Sequence, residues 1–182
     1  MRVLLVDDNR LLVEGLTNLL EAHGIQVVGV ACDGLDAPAQ AQLHKPDVIL
    51  MDIRMPNCNG LDATRKIKAQ FPMIKIVILT TSTDEIDLFE AIKSGASGFL
   101  LKSMSGEAFI EALRGAEHGE PPFSPGLAAK ILTEFSRIAA VHEKNNSLTD
   151  NLTPEIKNHF LTKRQVEILR LVASGFTYKE VG

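Results

Sequence analysis

Val48-Ile49-Leu50-Met51-Asp52 sets four apolar residues directly against a carboxylate. A short, uninterrupted apolar run of that length fits a strand buried on both faces, which is how strands of a parallel sheet read. Two other runs have the same layout. Val3-Leu4-Leu5-Val6 ends in Asp7-Asp8, and Gly98-Phe99-Leu100-Leu101 ends in Lys102. Parallel strands place their carboxyl ends along one edge, where open α/β sheets bind ligands. Three carboxylates and one ammonium are therefore expected to meet there.

The segments between these runs alternate as the sheet requires, because parallel strands need helical crossovers. Leu12, Leu16, Leu19 and Leu20 repeat at helical spacing, and Gly24 stops that helix. Val27-Val28-Gly29-Val30 reads as a second strand. Gly34 to His44 reads as a short helix with Pro38 in its first turn, broken by Lys45-Pro46. Asn59-Gly60 opens a third helix that ends near Phe71-Pro72, and Ile76-Val77-Ile78-Leu79 is a fourth strand followed by Thr80. Ser82 and Glu85 resemble a capping box, Gly95 stops that helix, and Phe109, Ala112, Leu113 and Ala116 mark a fifth. Five β-α units predict an α/β fold: a flavodoxin-like, doubly wound, five-stranded parallel sheet over residues 1–120.

The remainder differs in character. Glu120-Pro121-Pro122-Phe123-Ser124-Pro125 reads as a stiff boundary, and residues 121–160 as a linker with one amphipathic helix carrying Leu127, Ile131, Phe135 and Ile138. Residues 161–182 read as all-α: Thr162 and Gln165 cap a helix with Val166, Leu169 and Val172 on one face, and Gly175 ends it.

Lys+Arg number 19 against Asp+Glu 23, a net charge of -4, so affinity for nucleic acid cannot be read from the whole chain. No apolar stretch approaches the ~20 residues that span a bilayer. With no basic-then-apolar leader, a cytoplasmic protein without membrane association is expected. Cys32 and Cys58 lack metal-ligand spacing and are expected as free thiols. His23, His44, His118, His142 and His159 are scattered and are expected at solvent-facing positions.

The strand ends suggest a definite chemistry. A carboxylate accepts a phosphoryl group when it lies in line with a donor and the charge on the phosphoryl oxygens is neutralised. Asp52, ending the central strand, is the candidate acceptor. Asp7 and Asp8, with Asp52 and the main-chain carbonyl of Arg54, are candidate ligands for Mg²⁺, a hard cation that takes oxygen donors. Lys102 offers a compact positive charge and Thr80 a hydroxyl donor for phosphoryl oxygens. A haloacid-dehalogenase-type phosphatase would carry Asp-x-Asp-x-Thr after the first strand, and Asp7-Asp8-Asn9-Arg10-Leu11 does not fit. A dinucleotide-binding domain is disfavoured because no Gly-x-Gly-x-x-Gly follows that strand.

Val6-Asp7-Asp8, Leu50-Met51-Asp52-Ile53-Arg54-Met55-Pro56, Gly60, Thr80 and Gly98-Phe99-Leu100-Leu101-Lys102 resemble the receiver domain of bacterial two-component response regulators. Leu161-Thr162-Lys163-Arg164-Gln165-Val166-Glu167-Ile168-Leu169 and Gly175-Phe176-Thr177-Tyr178-Lys179-Glu180-Val181 resemble the opening of a LuxR-type helix-turn-helix. Together they are similar to the NarL/FixJ class of transcription regulators. The resemblance implies a switch rather than an enzyme: Asp52 takes phosphate from a sensor histidine kinase, Asp7 and Asp8 hold magnesium, and Thr80 with Phe99 is the conformational switch. It also implies a homodimer on phosphorylation and control of promoter DNA. The alternative is a single-domain receiver acting through protein partners. Ser103 stands where many receivers have proline, so a cis bond, costing ~3 kcal/mol, is not expected there. The sequence stops at Gly182 within a turn of the second helix starting, so the helix-turn-helix is read as incomplete, and DNA binding as a property of the full-length C-terminal domain rather than of this truncated form.

Overall fold

The computed structural model describes residues 1–81, 84–118, 120–124, 126–127 and 130. By its contacts the chain divides into two units, Met1–Ser82 with Glu90–Ser124, and Thr83–Phe89 with Pro125–Gly182. The elements are β1 (Arg2–Val6), α1 (Arg10–Ala22), β2 (Gln26–Ala31), α2 (Ala37–His44), β3 (Val48–Asp52), α3 (Gly60–Gln70), β4 (Lys75–Thr80), α4 (Glu85–Lys93), β5 (Gly98–Leu101) and α5 (Gly106–Glu117). The amphipathic helix expected beyond Leu127, the helix-turn-helix read in residues 161–182 and the Ser82 cap lie outside the described residues, apart from a few positions.

All strands are parallel, in the order β2-β1-β3-β4-β5. The chain winds outward from β1 to β2, then returns past β1 to β3. That reversal opens a crevice between the carboxyl ends of β1 and β3, the switch point where such sheets bind ligands. It is also where the sequence puts Asp7, Asp8 and Asp52.

Both faces of the sheet are covered, as the uninterrupted apolar runs predict. On one face Val3, Leu5, Val48, Leu50, Val77, Leu79 and Leu100 pack with Leu20 of α1 and with Phe109, Ile110 and Leu113 of α5. The alternate residues Leu4, Val6, Ile49, Met51, Ile76, Ile78 and Phe99 are fully enclosed as well. On this side α2 contacts β1 and β2, and α3 contacts β3. Each fully buried aliphatic side chain stabilises the fold by roughly 1.5–3 kcal/mol, so this doubly covered sheet is a rigid platform for its edge.

The sequence reading needs three adjustments. Helix α2 begins at Ala37 rather than Gly34, because Asp33 organises a turn first: its carboxylate accepts from the Leu35 N–H and, at 2.8 Å, from the Asn57 side-chain amide. Thr80 is the last residue of β4 rather than the one after it. Residues 122–124, read as the start of a linker, are paired with β5 through Phe123 opposite Phe99. No cis peptide bond occurs among the described residues, as expected for Ser103. Cys32 and Cys58 are both free. His23 and His118 cap the carboxyl ends of α1 and α5, and His44 ends α2.

Candidate functional site

The site is assembled from four strand ends. Asp7 follows β1 directly and is 2% exposed. Its backbone N–H donates to the Ala31 carbonyl at 3.1 Å, and its Oδ1 accepts from the Asn9 N–H at 2.9 Å. Asn9 in turn is the N-cap of α1, accepting from the Leu12 N–H at 3.2 Å. The residue that starts the helix therefore also fixes the carboxylate. Asp8, beside it, is exposed to solvent.

Asp52 ends β3 and is 6% exposed. The start of α3 presses against it so closely that a Cβ on Gly60 would lie 1.9 Å from the Asp52 carbonyl oxygen, which restricts that position to glycine. The Gly60 N–H donates to the Ile53 carbonyl at 2.9 Å, closing the loop that leaves the site. Within that loop Arg54 is exposed, and Asn57 takes the left-handed conformation at φ 61°, held by its bond to Asp33. That bond, with the Leu35 N–H, keeps the Asp33 carboxyl below the usual carboxylate range.

Lys102 follows β5, its backbone N–H bonded to the Thr80 carbonyl at 2.9 Å. Strands lie about 4.8 Å apart, so β3 is roughly 10 Å from β5 across β4, and a long side chain must arch over the edge to reach it. The Lys102 ammonium does so, at 2.7 Å from Asp7 Oδ2 and 3.0 Å from Asp52 Oδ1. Thr80, 4% exposed, stands on the intervening strand. The arrangement shapes the titration of both partners. Burial pushes the Asp52 carboxyl above its ordinary range; the hydrogen bond and charge of Lys102 oppose this without cancelling it, and Asp7 adds to the rise. Burial alone would lower Lys102, but its hydrogen bonds to Asp7 and Asp52 and their charges outweigh it and raise the ammonium's pKa. Lys102 therefore stays charged across the physiological range.

Asp7, Asp8 and Asp52 each offer a carboxylate oxygen, and these oxygens all lie within 4.8 Å of one another. Three carboxylates against one ammonium leave a formal surplus of two negative charges. All-oxygen donors with that surplus suit a hard divalent cation that keeps part of its water shell.

Phe99 lies in register with Ile78 and two residues before the Thr80–Leu101 pair. It is fully enclosed, and its ring stacks on Phe123 at 5.8 Å between centroids. Sequence reasoning did not anticipate Asn9, Asp33, Asn57, Phe123 or Ser124. Two carried a local signal: Asn9 stands where a helix N-cap is favoured, and Asn57 after Pro56 tolerates the left-handed turn that such a loop requires.

Residues 3–114 match the response regulator receiver domain. The chain belongs to the response regulators. It is 40% identical over 182 residues to the transcriptional regulatory protein YxjL of Bacillus subtilis, covering all of this chain and 79% of that one. It is 37% identical over 183 residues to the transcriptional regulatory protein LiaR of the same species, covering 100% of this chain and 81% of that one. Among solved structures it resembles a LuxR-family two-component response regulator from Aurantimonas, at 31% identity and a TM-score of 0.69, over 74% of this chain and 97% of the other. The receiver of NarL from Mycobacterium tuberculosis aligns with a TM-score of 0.61 and 30% identity, over 65% and 97% of the respective chains. The flavodoxin-like sheet and the NarL/LuxR type of response regulator expected from the sequence both hold. Among the described residues no helix is long and apolar enough to cross a membrane.

Proposed function

We propose that Asp52 is the phosphoacceptor of a cytoplasmic, transcription-controlling response regulator, supplied by the phosphohistidine of a sensor kinase. The observation that carries this reading is the sharing of one ammonium, Lys102, between Asp7 and Asp52 within a cluster of three carboxylates. An Asp52 carboxylate oxygen attacks phosphorus, the P–N bond to the donor imidazole breaks, and that imidazole keeps the electron pair and takes up a proton. Lys102 then moves from carboxylate to phosphoryl oxygen, and the Thr80 hydroxyl donates to another. Asp7, Asp8, Asp52 and the Arg54 carbonyl would hold magnesium, which when bound would neutralise charge on the phosphoryl oxygens.

Receivers of this kind act as switches, and the named relatives are transcriptional regulatory proteins. We assign the output here to Thr80 and Phe99, to homodimer formation on phosphorylation and to promoter binding by the C-terminal region. Residues 1–120 form the receiver in this assignment, 121–160 the linker and 161–182 the helix-turn-helix portion. Since Phe99 is already enclosed, a switch there repacks the ring rather than burying it.

Incubation with a small-molecule phosphodonor and Mg²⁺, read by intact mass, tests the assignment. Wild type gains one phosphoryl group, Asp52→Asn gains none, and removal of Mg²⁺ abolishes the gain. Undiminished phosphorylation of Asp52→Asn would overturn it.

A further inference from the structure

The outer edge of β5 is not open. The Phe99 N–H donates to the Pro122 carbonyl at 2.7 Å and the Ser124 N–H to the Phe99 carbonyl at 2.8 Å, which is the pattern of a parallel strand. Phe123 stacks on Phe99 at an interplanar angle of 17°. The fit is tight at Gly98, where a Cβ would lie 2.4 Å from the Pro122 carbonyl oxygen and 2.5 Å from the Pro122 ring.

Ser124 makes the most informative contacts. It is 1% exposed, and its hydroxyl uses both of its capacities. Oγ accepts from the Leu101 N–H at 2.8 Å and donates to Met104 Sδ at 2.7 Å. Leu101 immediately precedes Lys102, and Met104 follows it by two residues. The buried hydroxyl thus spans the turn that carries the one ammonium shared by Asp7 and Asp52.

Covering a sheet edge against stray pairing requires main-chain bonds alone. It does not require a buried hydroxyl fixed to both sides of the site lysine. We propose that residues 122–124 are a strap, with Ser124 as the positioning residue for Lys102, so that the seating of the strap and the phosphorylation of Asp52 are coupled. This rests on the reading of Asp52 as phosphoacceptor. Once Asp52 carries a phosphoryl group, Lys102 is drawn to new oxygens and the turn between Leu101 and Met104 must follow. The strap is where the chain leaves the first unit, so it passes the state of the pocket to whatever follows Ser124. At equilibrium the coupling is reciprocal: a loosened strap shifts the stability of the phosphorylated state just as phosphorylation shifts the seating of the strap.

The test uses the full chain, wild type, Ser124→Ala and Gly98→Ala; the last builds a methyl group into the strap and touches no pocket residue. Without phosphodonor or metal, Ser124→Ala exchanges the Leu101 amide hydrogen about five- to tenfold faster than wild type, the effect of one lost hydrogen bond. With a small phosphodonor and saturating Mg²⁺, both variants are phosphorylated about fivefold more slowly, because a displaced Lys102 meets the incoming phosphoryl oxygens less well. In wild type, phosphorylation itself changes exchange at Phe99 and Leu101 while the far edge strand β2 stays as it was. Faster exchange in Ser124→Ala, combined with wild-type phosphorylation rates in both variants, would reduce the strap to edge protection and overturn the coupling alone. Failure of wild type to be phosphorylated would overturn the Asp52 reading, and the coupling with it.

Discussion

The two ends of the sheet handle charge in opposite ways. At the amino ends of the strands, several charged groups are engaged one by one, each by a separate group. Asp47 accepts from the Arg2 backbone N–H at 2.7 Å, the Arg2 guanidinium donates to the His44 carbonyl at 2.6 Å, and the Met1 amine lies 3.3 Å from Glu117. Lys75 reaches the Ala116 carbonyl. At the carboxyl ends, the carboxylate oxygens of Asp7, Asp8 and Asp52 gather within 4.8 Å of one another, and Asp7 and Asp52 share the ammonium of Lys102. The amino end even holds a hollow of about 490 Å³, lined by Pro46, Asp47, Met73 and Lys75 among others. In that hollow Asp47, Lys75 and Glu117 are each engaged by a separate group, and among the described residues its carboxylates do not form a cluster that could hold an ion. Surplus charge, held rigidly and partly buried, attracts one; cavity size is the poorer guide to the site here.

The sharpest way to break this contrast is to remove one lysine from each end. Lys102→Ala leaves Asp7 and Asp52 facing each other without their shared cation, and phosphorylation by a small phosphodonor should fall by about 100-fold, the usual cost of losing a charge that stabilises a developing oxyanion. Lys75→Ala removes a lysine that bonds to a carbonyl, and phosphorylation should proceed at the wild-type rate. Time courses by intact mass compare the two. Equal impairment would mean that charge imbalance does not distinguish the ends.

The second prediction concerns stability, and its sign is unusual. Burial, reinforced by Asp7, keeps the Asp52 carboxyl titrating above its ordinary range despite Lys102. A raised carboxyl pKa means the native state prefers the protonated form, so ionised Asp52 opposes folding at neutral pH, and this opposition fades as pH falls through the native pKa. Without metal at neutral pH, Asp52→Asn should therefore be more stable than wild type. The gap should close as pH falls into the carboxylate range. Mg²⁺ should raise the melting temperature of wild type more than that of the variant. A less stable Asp52→Asn at neutral pH would show that the Lys102 pair outweighs burial.

Much of this was legible in the sequence, for a physical reason. Strands buried on both faces must be apolar throughout, so the first polar residue after each run marks its end, and Asp7, Asp52 and Lys102 stand out without any structure. Thr80 is legible by the same rule, one position off, since a threonine fits a strand as readily as it ends one. The strap was not legible. Pro121-Pro122 reads as a linker because proline has no N–H to give a ladder, yet the pairing with β5 needs only the Pro122 carbonyl and the Ser124 N–H. Likewise the start of α2 depends on Asn57, 24 positions from Asp33, and no local pattern encodes that bond.

The smallest effect expected is at the amino end, and it should have the opposite sign to Asp52→Asn. Asp47 precedes β3, and its backbone joins β1 and β4 through the Arg2 carbonyl at 2.9 Å and the Lys75 N–H at 3.1 Å. Its side chain adds one exposed hydrogen bond, to the Arg2 N–H. Asp47→Ala keeps the backbone links and loses that bond, so it should destabilise by about 0.5 kcal/mol, the low end for a single hydrogen bond at a solvated site. Mg²⁺ should stabilise Asp47→Ala as much as wild type, because the carboxylates proposed to hold the metal lie at the other end of the strands. Urea unfolding at neutral pH, with and without Mg²⁺, measures both. Removing one aspartate at each end would then destabilise at the amino end and stabilise at the carboxyl end. If both losses destabilise, the carboxyl-end cluster is an ordinary ion-paired edge, and the surplus charge that marks it as a site is already balanced within the protein.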